Sequence, residues 1–395
     1  MSDAHHLVTR LAAGRAEEWD LRGELPREVI RELGAKGLLC AQVPQDLGGL
    51  GLSSLANGEL TAHTGTLCSS LRSVMTSQGI AAWTLSRFGS REQRADFLPR
   101  LTSGESAGVA FSEPEAGSDL SAMRTEITRD GDSVVVHGAK VWVTGAHYAQ
   151  WLVVFGRVGR KAGDEPGAGD GRTGGDKQGA VDGRGVGSGQ GGAIVVVPTD
   201  APGVRIDRVP DPLGCRAAGH AHVTLDRVRL PARHLLGGAG MPLSMLVASA
   251  LTYGRISVAW GCVGILRSCL SEAVRHAGRR RTFGAPLGEH QLVRRHLAEL
   301  HAAERTSTYA CREASRHWDE NAAEQMHSAV LAKHVSATAA ARGASAAAQV
   351  LASAGARDGH VVARAYRDTK LMEIIEGSNE ISQLMLADQA LAVWA

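Results

Sequence analysis

Met372-Glu373-Ile374-Ile375-Glu376-Gly377-Ser378-Asn379-Glu380 sets one carboxylate between an apolar helical run and a glycine. Residues 365–375 read as a helix, and Gly377 supplies the permissive backbone that ends it and starts another. Glu376 therefore falls on a tight corner beside Met372, Ile374 and Ile375. Burial against such neighbours disfavours the charged form, so the carboxyl pKa rises, and its basicity toward a carbon acid rises with it. Alone, the same pair also suits an ordinary solvated helix end.

Working outward, apolar residues recur at helical spacing from Leu7 to about Leu101, as in Val29, Ile30, Leu33, Leu38 and Leu39. Near Gly104 the pattern changes to short β-rich runs at 134–136, 141–143, 151–155, 193–197 and 223–225. After Pro231 the helical period returns and persists to Trp394. The expected units are a helical region 1–105, a β region 106–230 and a helical region 231–395, an α+β chain. Within the β region, residues 161–192 form a glycine-dominated insertion that cannot bury enough apolar area to offset its ordering entropy. Its Gly187-Ser188-Gly189-Gln190-Gly191-Gly192 satisfies GxGxxG but precedes a strand and opens no helix, so the dinucleotide context is missing.

A chain of 395 residues with 44% hydrophobic and 21% charged residues has ample core for a globular protein. A net charge of +2 gives no general pull toward nucleic acid or an anionic membrane surface. No uninterrupted apolar run reaches the ~20 residues needed to span a bilayer, and the N-terminus has no basic segment followed by an apolar core. A cytoplasmic enzyme is expected. Six scattered cysteines form no CxxC pair, which suits reduced, packed thiols with neither metal nor disulfide.

Four blocks in order carry a resemblance. They are GVAFSEPEAGSDLSAMRT at 108–125, KVWVT at 140–144, RRTFG at 280–284 with Glu289-His290-Gln291, and the EIIEGSNEI segment. With them the chain resembles the acyl-CoA dehydrogenase flavoprotein family over nearly its whole length. The stretches 68–78, 253–267 and 348–362 are similar to the branch that oxidises short acyl groups on an acyl carrier protein to make hydroxymalonyl and methoxymalonyl polyketide extender units.

The resemblance implies an N-terminal helical domain, a middle β-barrel or sandwich, a C-terminal four-helix bundle, and FAD as cofactor. It implies Glu376 as the base and assigns Arg255 and Gly254 to the substrate pocket; relatives of the isovaleryl and long-chain types carry their base where Gly254 stands. Phe111 and Ser112 are assigned to the flavin pyrimidine side, and Gly117 and Ser118 to the pyrophosphate. Trp142 would shield the ring and the Thr144 hydroxyl would reach its N5 edge; alternation with Val141 and Val143 puts both on one strand face. Arg280, Thr282, Phe283, Gln291, Gln349 and Ser353 would meet FAD across a subunit interface, and Ser378 and Glu380 join the cofactor set. Ala352 and Ser353 replace the family's paired glycines, a departure that bears on FAD affinity. Arg367 and Asp368 read as a structural ion pair.

Implied partners are an acyl-carrier-protein or CoA thioester as substrate, and an electron-transfer flavoprotein or oxygen as acceptor. A homotetramer or homodimer is implied too, with neither nucleic acid nor membrane. The expected reaction is oxidation of 2-hydroxy-3-oxopropionyl to hydroxymalonyl. The rivals are an enoyl-forming short-chain acyl-CoA dehydrogenase, an amino analogue of the hydroxy reaction, and a scaffold that only binds carrier protein.

Overall fold

The computed structural model of the chain describes residues 2–159, 191–237 and 239–394. Six helices open it: α1 (Ser2–Ala12), α2 (Ala16–Arg22), α3 (Arg27–Gly34), α4 (Ser54–Leu67), α5 (Ser69–Phe88) and α6 (Arg91–Thr102). Local chemistry fixes several starts. Ser53 caps α4 by accepting from the Ala56 amide, and Ser90 with Gln93 forms a reciprocal capping box on α6. α5 is buried along almost its whole length, so the polar residues it holds matter.

Among the described residues seven strands follow: β1 (Ala107–Ala110), β2 (Glu126–Asp130), β3 (Ser133–Val143), β4 (Trp151–Val158), β5 (Gly192–Pro198), β6 (Val204–Arg208) and β7 (Ala221–Pro231). They hydrogen-bond in the order β1-β4-β2-β3-β7-β6, with β5 added to β4. One edge of β4 takes β1 along Trp151 to Val154 and β2 at Arg157 and Val158, both parallel, while β5 pairs antiparallel with it. β4 and β5 are buried on both faces, which explains their unbroken apolar sequence. Leu152, Val154, Val195 and Val197 enter the core within the β region, whereas Val153, Phe155, Ile194 and Val196 pack with Leu98, Val247 and Val263 of the helical regions. Residues 161–190 of the expected insertion, with most of its GxGxxG, lie outside the described residues. Its expected end is too late, because Gly192 already opens β5.

The last region holds α7 (Leu243–Arg279), the two-residue strands β8 (Arg281–Thr282) and β9 (Ala285–Pro286), α8 (Gln291–Asp319), α9 (Gln325–Leu351), α10 (Val361–Ile374) and α11 (Asn379–Trp394). α7 to α10 pack together, and α11 follows the Glu376 corner onto α9. Among the described residues α7 alone is long and apolar enough to cross a membrane, but 83% of its apolar stretch is buried in this core. The fold is therefore helical, then β-rich, then helical.

Candidate active site

All three regions converge on one cavity of about 880 Å³, a volume that suits a sizeable organic ligand. α5 presents Arg72, Ser73, Thr76, Ser77 and Ile80 to it, positions three or four apart and so on one helix face. α7 contributes Leu243, Val247, Leu251 and Arg255; the β region contributes the 111–121 loop, Trp142, Thr144 and His220; the α10–α11 corner closes it with Glu376, Gly377 and Ser378.

The corner is more strained than its sequence implies. α10 ends at Ile374, and both Glu376 (φ 56°) and Gly377 (φ 92°) are left-handed, so the glutamate itself adopts a conformation disfavoured for a residue with a Cβ. Arg255 Nε donates to the Glu376 carbonyl at 3.1 Å. Lys333 of α9, fully buried, donates to the carbonyls of Glu373 at 3.2 Å and Gly377 at 2.7 Å and to Asn379 Oδ1 at 3.4 Å. Burial pulls the Lys333 pKa down to about 8. Burial also pushes the Glu376 carboxyl up to about 7, against the opposing pull of Arg255, Lys333 and Arg72.

Gly254 has a steric explanation. A Cβ built there would lie 2.3 Å from Glu376 Oε2 and 2.6 Å from its Cδ, so the carboxyl occupies the space a side chain at 254 would need. One carboxylate fits, and it is Glu376. Its desolvation comes from Gly254 and Ile80 across the corner as well as from its own helix, where Met372 is buried but Ile374 is half-exposed.

Trp142 and Thr144 both line the cavity, though not by simple alternation. Pairing of β3 with β7 shifts register between Lys140 and Val143, and Trp142 sits in that irregularity at φ 55°; Thr144 lies past the strand end. The indole is 48% exposed, a broad flat surface unusual for tryptophan beside a core. Thr144 Oγ1 lies 3.2 Å from His220 Nδ1, and the Trp142 and His220 ring centroids are 5.7 Å apart. Burial, with Arg72 adding to it, pulls the His220 pKa down to about 4 and keeps the imidazole neutral.

The 111–118 loop is held from behind. Buried Lys140 donates to the Phe111 carbonyl at 3.0 Å and to Glu113 Oε1 at 2.7 Å, and the Val141 amide donates to the Ser112 carbonyl at 2.9 Å. The amides of Ser112, Gly117 and Ser118 have no hydrogen-bond partner among the described residues. A Cβ at Gly117 would meet no protein atom within 4 Å. The Phe111 ring lies 4.5 Å from that of Phe155, so its side chain belongs to the core as much as to the cavity. Free amides, an open glycine and a bare indole suit a ligand bearing phosphates and a flat ring.

Other expected residues lie elsewhere. Arg280 follows the end of α7, Thr282 closes β8 and Phe283 begins the β8–β9 turn, Gln291 starts α8, Gln349 is in the last turn of α9 and Ser353 in the turn after it, and Glu380 is exposed on α11; none lines the cavity. Arg367 pairs with Asp20 and Asp358, not with Asp368, which accepts from the Cys215 amide at 2.6 Å. The six cysteines are buried and unpaired.

Sequence reading did not find Lys333, His220 or the role of Arg72. The available signals were a lone lysine in an alanine-rich helix and a polar stripe at 72, 73, 76 and 77 on a helix otherwise suited to the core.

One cavity thus gathers a buried carboxyl, free loop amides and a bare indole, groups that suit a carbon acid and a flat, phosphate-bearing redox cofactor. Sequence models of the acyl-CoA dehydrogenase N-terminal, middle and C-terminal domains match residues 2–105, 108–172 and 238–391. The chain is 30% identical to the probable acyl-CoA dehydrogenase YngJ of Bacillus subtilis over 381 residues, covering 96% of this chain and 93% of that protein. It is also 30% identical to the human mitochondrial short-chain specific acyl-CoA dehydrogenase, covering 95% of this chain and 85% of that one. A solved structure titled FkbI, for biosynthesis of the methoxymalonyl extender unit of the FK520 polyketide, superposes with a TM-score of 0.88 at 56% identity, covering 98% of this chain and 99% of that one. The chain belongs to the acyl-CoA dehydrogenase family, whose members are FAD-dependent oxidoreductases.

Proposed function

We propose that the enzyme oxidises a short oxygenated acyl group held as a thioester on an acyl carrier protein, converting 2-hydroxy-3-oxopropionyl to hydroxymalonyl for a methoxymalonyl-type polyketide extender unit. The observation that carries this is Arg72. Its guanidinium is fully buried at the cavity wall, makes no ion pair within 4 Å among the described residues, and hydrogen-bonds only Thr76 Oγ1 at 3.3 Å and Met372 Sδ at 2.9 Å, with Nε unpaired; the Glu376 carboxyl feels it only at longer range. A buried cation without a contacting anion is costly unless a ligand supplies one. A plain hydrocarbon acyl group supplies none; a product that gains a carboxylate does. The 56% identity to a protein titled for methoxymalonyl biosynthesis supports the carrier-bound, extender-unit form of the substrate.

The amides of Ser112, Gly117 and Ser118, with Trp142 and Thr144, would hold FAD, which would supply the two-electron acceptor when bound. The chain supplies the rest. Hydration turns the aldehyde carbon into a geminal diol; its C–H bond breaks with both electrons leaving to the acceptor while one O–H loses its proton, so aldehyde plus water becomes carboxylic acid. Glu376, with its pKa raised to about 7, takes that proton. Arg72 and Arg255 oppose the negative charge that develops. The cavity sits where the proposed units 1–105, 106–230 and 231–395 meet. The β8–β9 turn and the end of α9 remain for the far part of FAD in a homotetramer or homodimer, with Glu380 in that same set. Electrons would pass on to an electron-transfer flavoprotein or oxygen.

Flavin bleaching in the purified holoenzyme tests the reading against a panel of aldehyde-loaded carrier protein, its amino analogue, butyryl-CoA and glutaryl-CoA. Rapid bleaching by the aldehyde carrier, with a product heavier by one oxygen in mass spectrometry, is expected. Bleaching by butyryl-CoA but not by the aldehyde carrier makes the enzyme an enoyl-forming dehydrogenase, and colourless protein makes it a scaffold.

A further inference from the structure

We propose that His220 is a positioning residue that fixes the Thr144 hydroxyl as a hydrogen-bond donor toward the cofactor ring. The proposal rests on the placement of Thr144 beside that ring given above.

His220 is 7% exposed and stands on a loop that has little freedom. Tyr148 Oη donates to the Ala217 carbonyl at 2.9 Å, the Ala217 amide donates to Ser70 Oγ at 3.2 Å, and the Gly145 amide donates to the Ala218 carbonyl at 3.0 Å. Gly219 is left-handed at φ 65°, and a Cβ there would strike the Tyr148 ring at 2.5 Å. The imidazole therefore meets Thr144 in one fixed geometry.

The two ring nitrogens are unequal. Nδ1 lies 3.2 Å from Thr144 Oγ1, while Nε2 is buried with no partner. A neutral imidazole has one N–H and one bare nitrogen. Orphaned buried N–H groups are rare in proteins, whereas unused acceptors are better tolerated. The proton consequently belongs on Nδ1, which donates to Thr144 Oγ1. That leaves the Thr144 hydroxyl proton free to donate elsewhere, and Thr144 lines the cavity. An oxidised flavin presents an acceptor nitrogen at N5, whereas the reduced ring presents an N–H there. Thr144 thus donates to the oxidised ring directly, whereas toward the reduced ring it must turn its proton away and accept through its one remaining lone pair; the preference for the oxidised ring lowers the reduction potential of the bound cofactor.

The measurement is the midpoint potential of FAD in the holoenzyme. His220→Phe keeps a ring against Trp142 but removes the donor; it should shift the oxidised-to-reduced equilibrium at least tenfold toward reduced, a rise of about 30 mV for a two-electron couple. His220→Asn, which returns an N–H near the Nδ1 position, should restore the original value. Thr144→Val should raise the potential by itself and cancel any further effect of His220→Phe. If Thr144→Val shifts the potential and His220→Phe does not, the role of His220 is overturned while Thr144 keeps its place. If Thr144→Val changes nothing, the placement of Thr144 fails and the proposal falls with it. Imidazole nitrogen shifts in the labelled wild-type holoenzyme give a reading independent of any variant: protonation at Nδ1 is expected, and protonation at Nε2 overturns the proposal.

Discussion

Two walls of the cavity use the same backbone device for different ends. Glu376 at φ 56° and Trp142 at φ 55° are both left-handed without being glycine, a conformation that costs roughly 1–2 kcal/mol per residue. At the Glu376 corner the strain is locked by charge: Lys333 and Arg255 grip the carbonyls of 373, 376 and 377, and the carboxyl fills the volume over Gly254. At Trp142 the strain is held by a register shift and neutral neighbours, and the side chain stays half-exposed. On the proposed reading, one wall tunes a proton acceptor and the other offers a surface to the cofactor. The comparison implies that chemistry is sensitive to small changes at the first wall and that cofactor affinity is sensitive at the second.

The largest effect expected is from Glu376→Gln. The substitution removes the one corner carboxylate that lines the cavity among the described residues and should slow flavin reduction by substrate about 10³-fold or more, within or above the range for a general base, while the protein stays yellow. In the wild type, kcat/KM should rise with pH through about 7, because the base must be ionised to act and burial has lifted its pKa to that value. A flat profile between pH 5.5 and 8.5 would put the proton on another group.

Paired glycine substitutions sharpen the contrast. Gly254→Ala places a methyl 2.3 Å from Glu376 Oε2, so the carboxyl must swing away, and a displaced catalytic group of this kind costs about 10²-fold in rate. Gly117→Ala meets no protein atom; it should leave stability unchanged and weaken FAD binding about tenfold by crowding the ligand. Equal effects of the two on stability and on rate would erase the distinction between the walls.

Lys333→Met should have an intermediate effect. It leaves the buried carbonyls of Glu373 and Gly377 without their donor, at a cost of ~1–3 kcal/mol for each unpaired group, measurable as a lower chemical-denaturation midpoint. Since Lys333 lowers the Glu376 pKa, its loss should move the rising limb of the pH profile to higher pH.

Lys333 also marks the limit of what the sequence discloses. The corner was legible because Glu376, Gly377 and the apolar helix before them are adjacent in the chain, and local rules apply to adjacent residues. Lys333 lies 40 residues from Glu373 and reaches it only through packing of α9 against α10. Arg72 and His220 are likewise joined to Met372 and Thr144 across long separations. The left-handed turn at Glu376 escaped for a different reason: Gly377 beside it satisfies every local expectation for a helix stop, so nothing in the sequence points to a second strained residue. Arg367 and Asp368 misled in the opposite sense, since neighbours on a helix point to different faces and each found its partner elsewhere. Arg280, Thr282, Phe283, Gln291, Gln349 and Ser353 do not line the cavity within one chain; their assignment to the far part of FAD across a subunit interface comes from the family resemblance alone.

Trp142→Gly probes the second wall with the smallest expected change in stability. Glycine adopts φ near 55° without penalty, so the variant recovers roughly 1–2 kcal/mol of strain. Against that it gives up the buried half of the indole, about 2–3 kcal/mol at ~25 cal/mol/Å². Thermal unfolding of the FAD-free protein should therefore be little changed or slightly lowered. FAD should bind about tenfold more weakly, since stacking on an aromatic ring contributes on the order of 1 kcal/mol. A variant that unfolds several degrees earlier would mean that the indole packs as core and that its exposed face is incidental. One that binds FAD as tightly as wild type would mean that the flat ligand does not rest on Trp142, and the wall opposite Glu376 would have to be sought along the 111–121 loop instead.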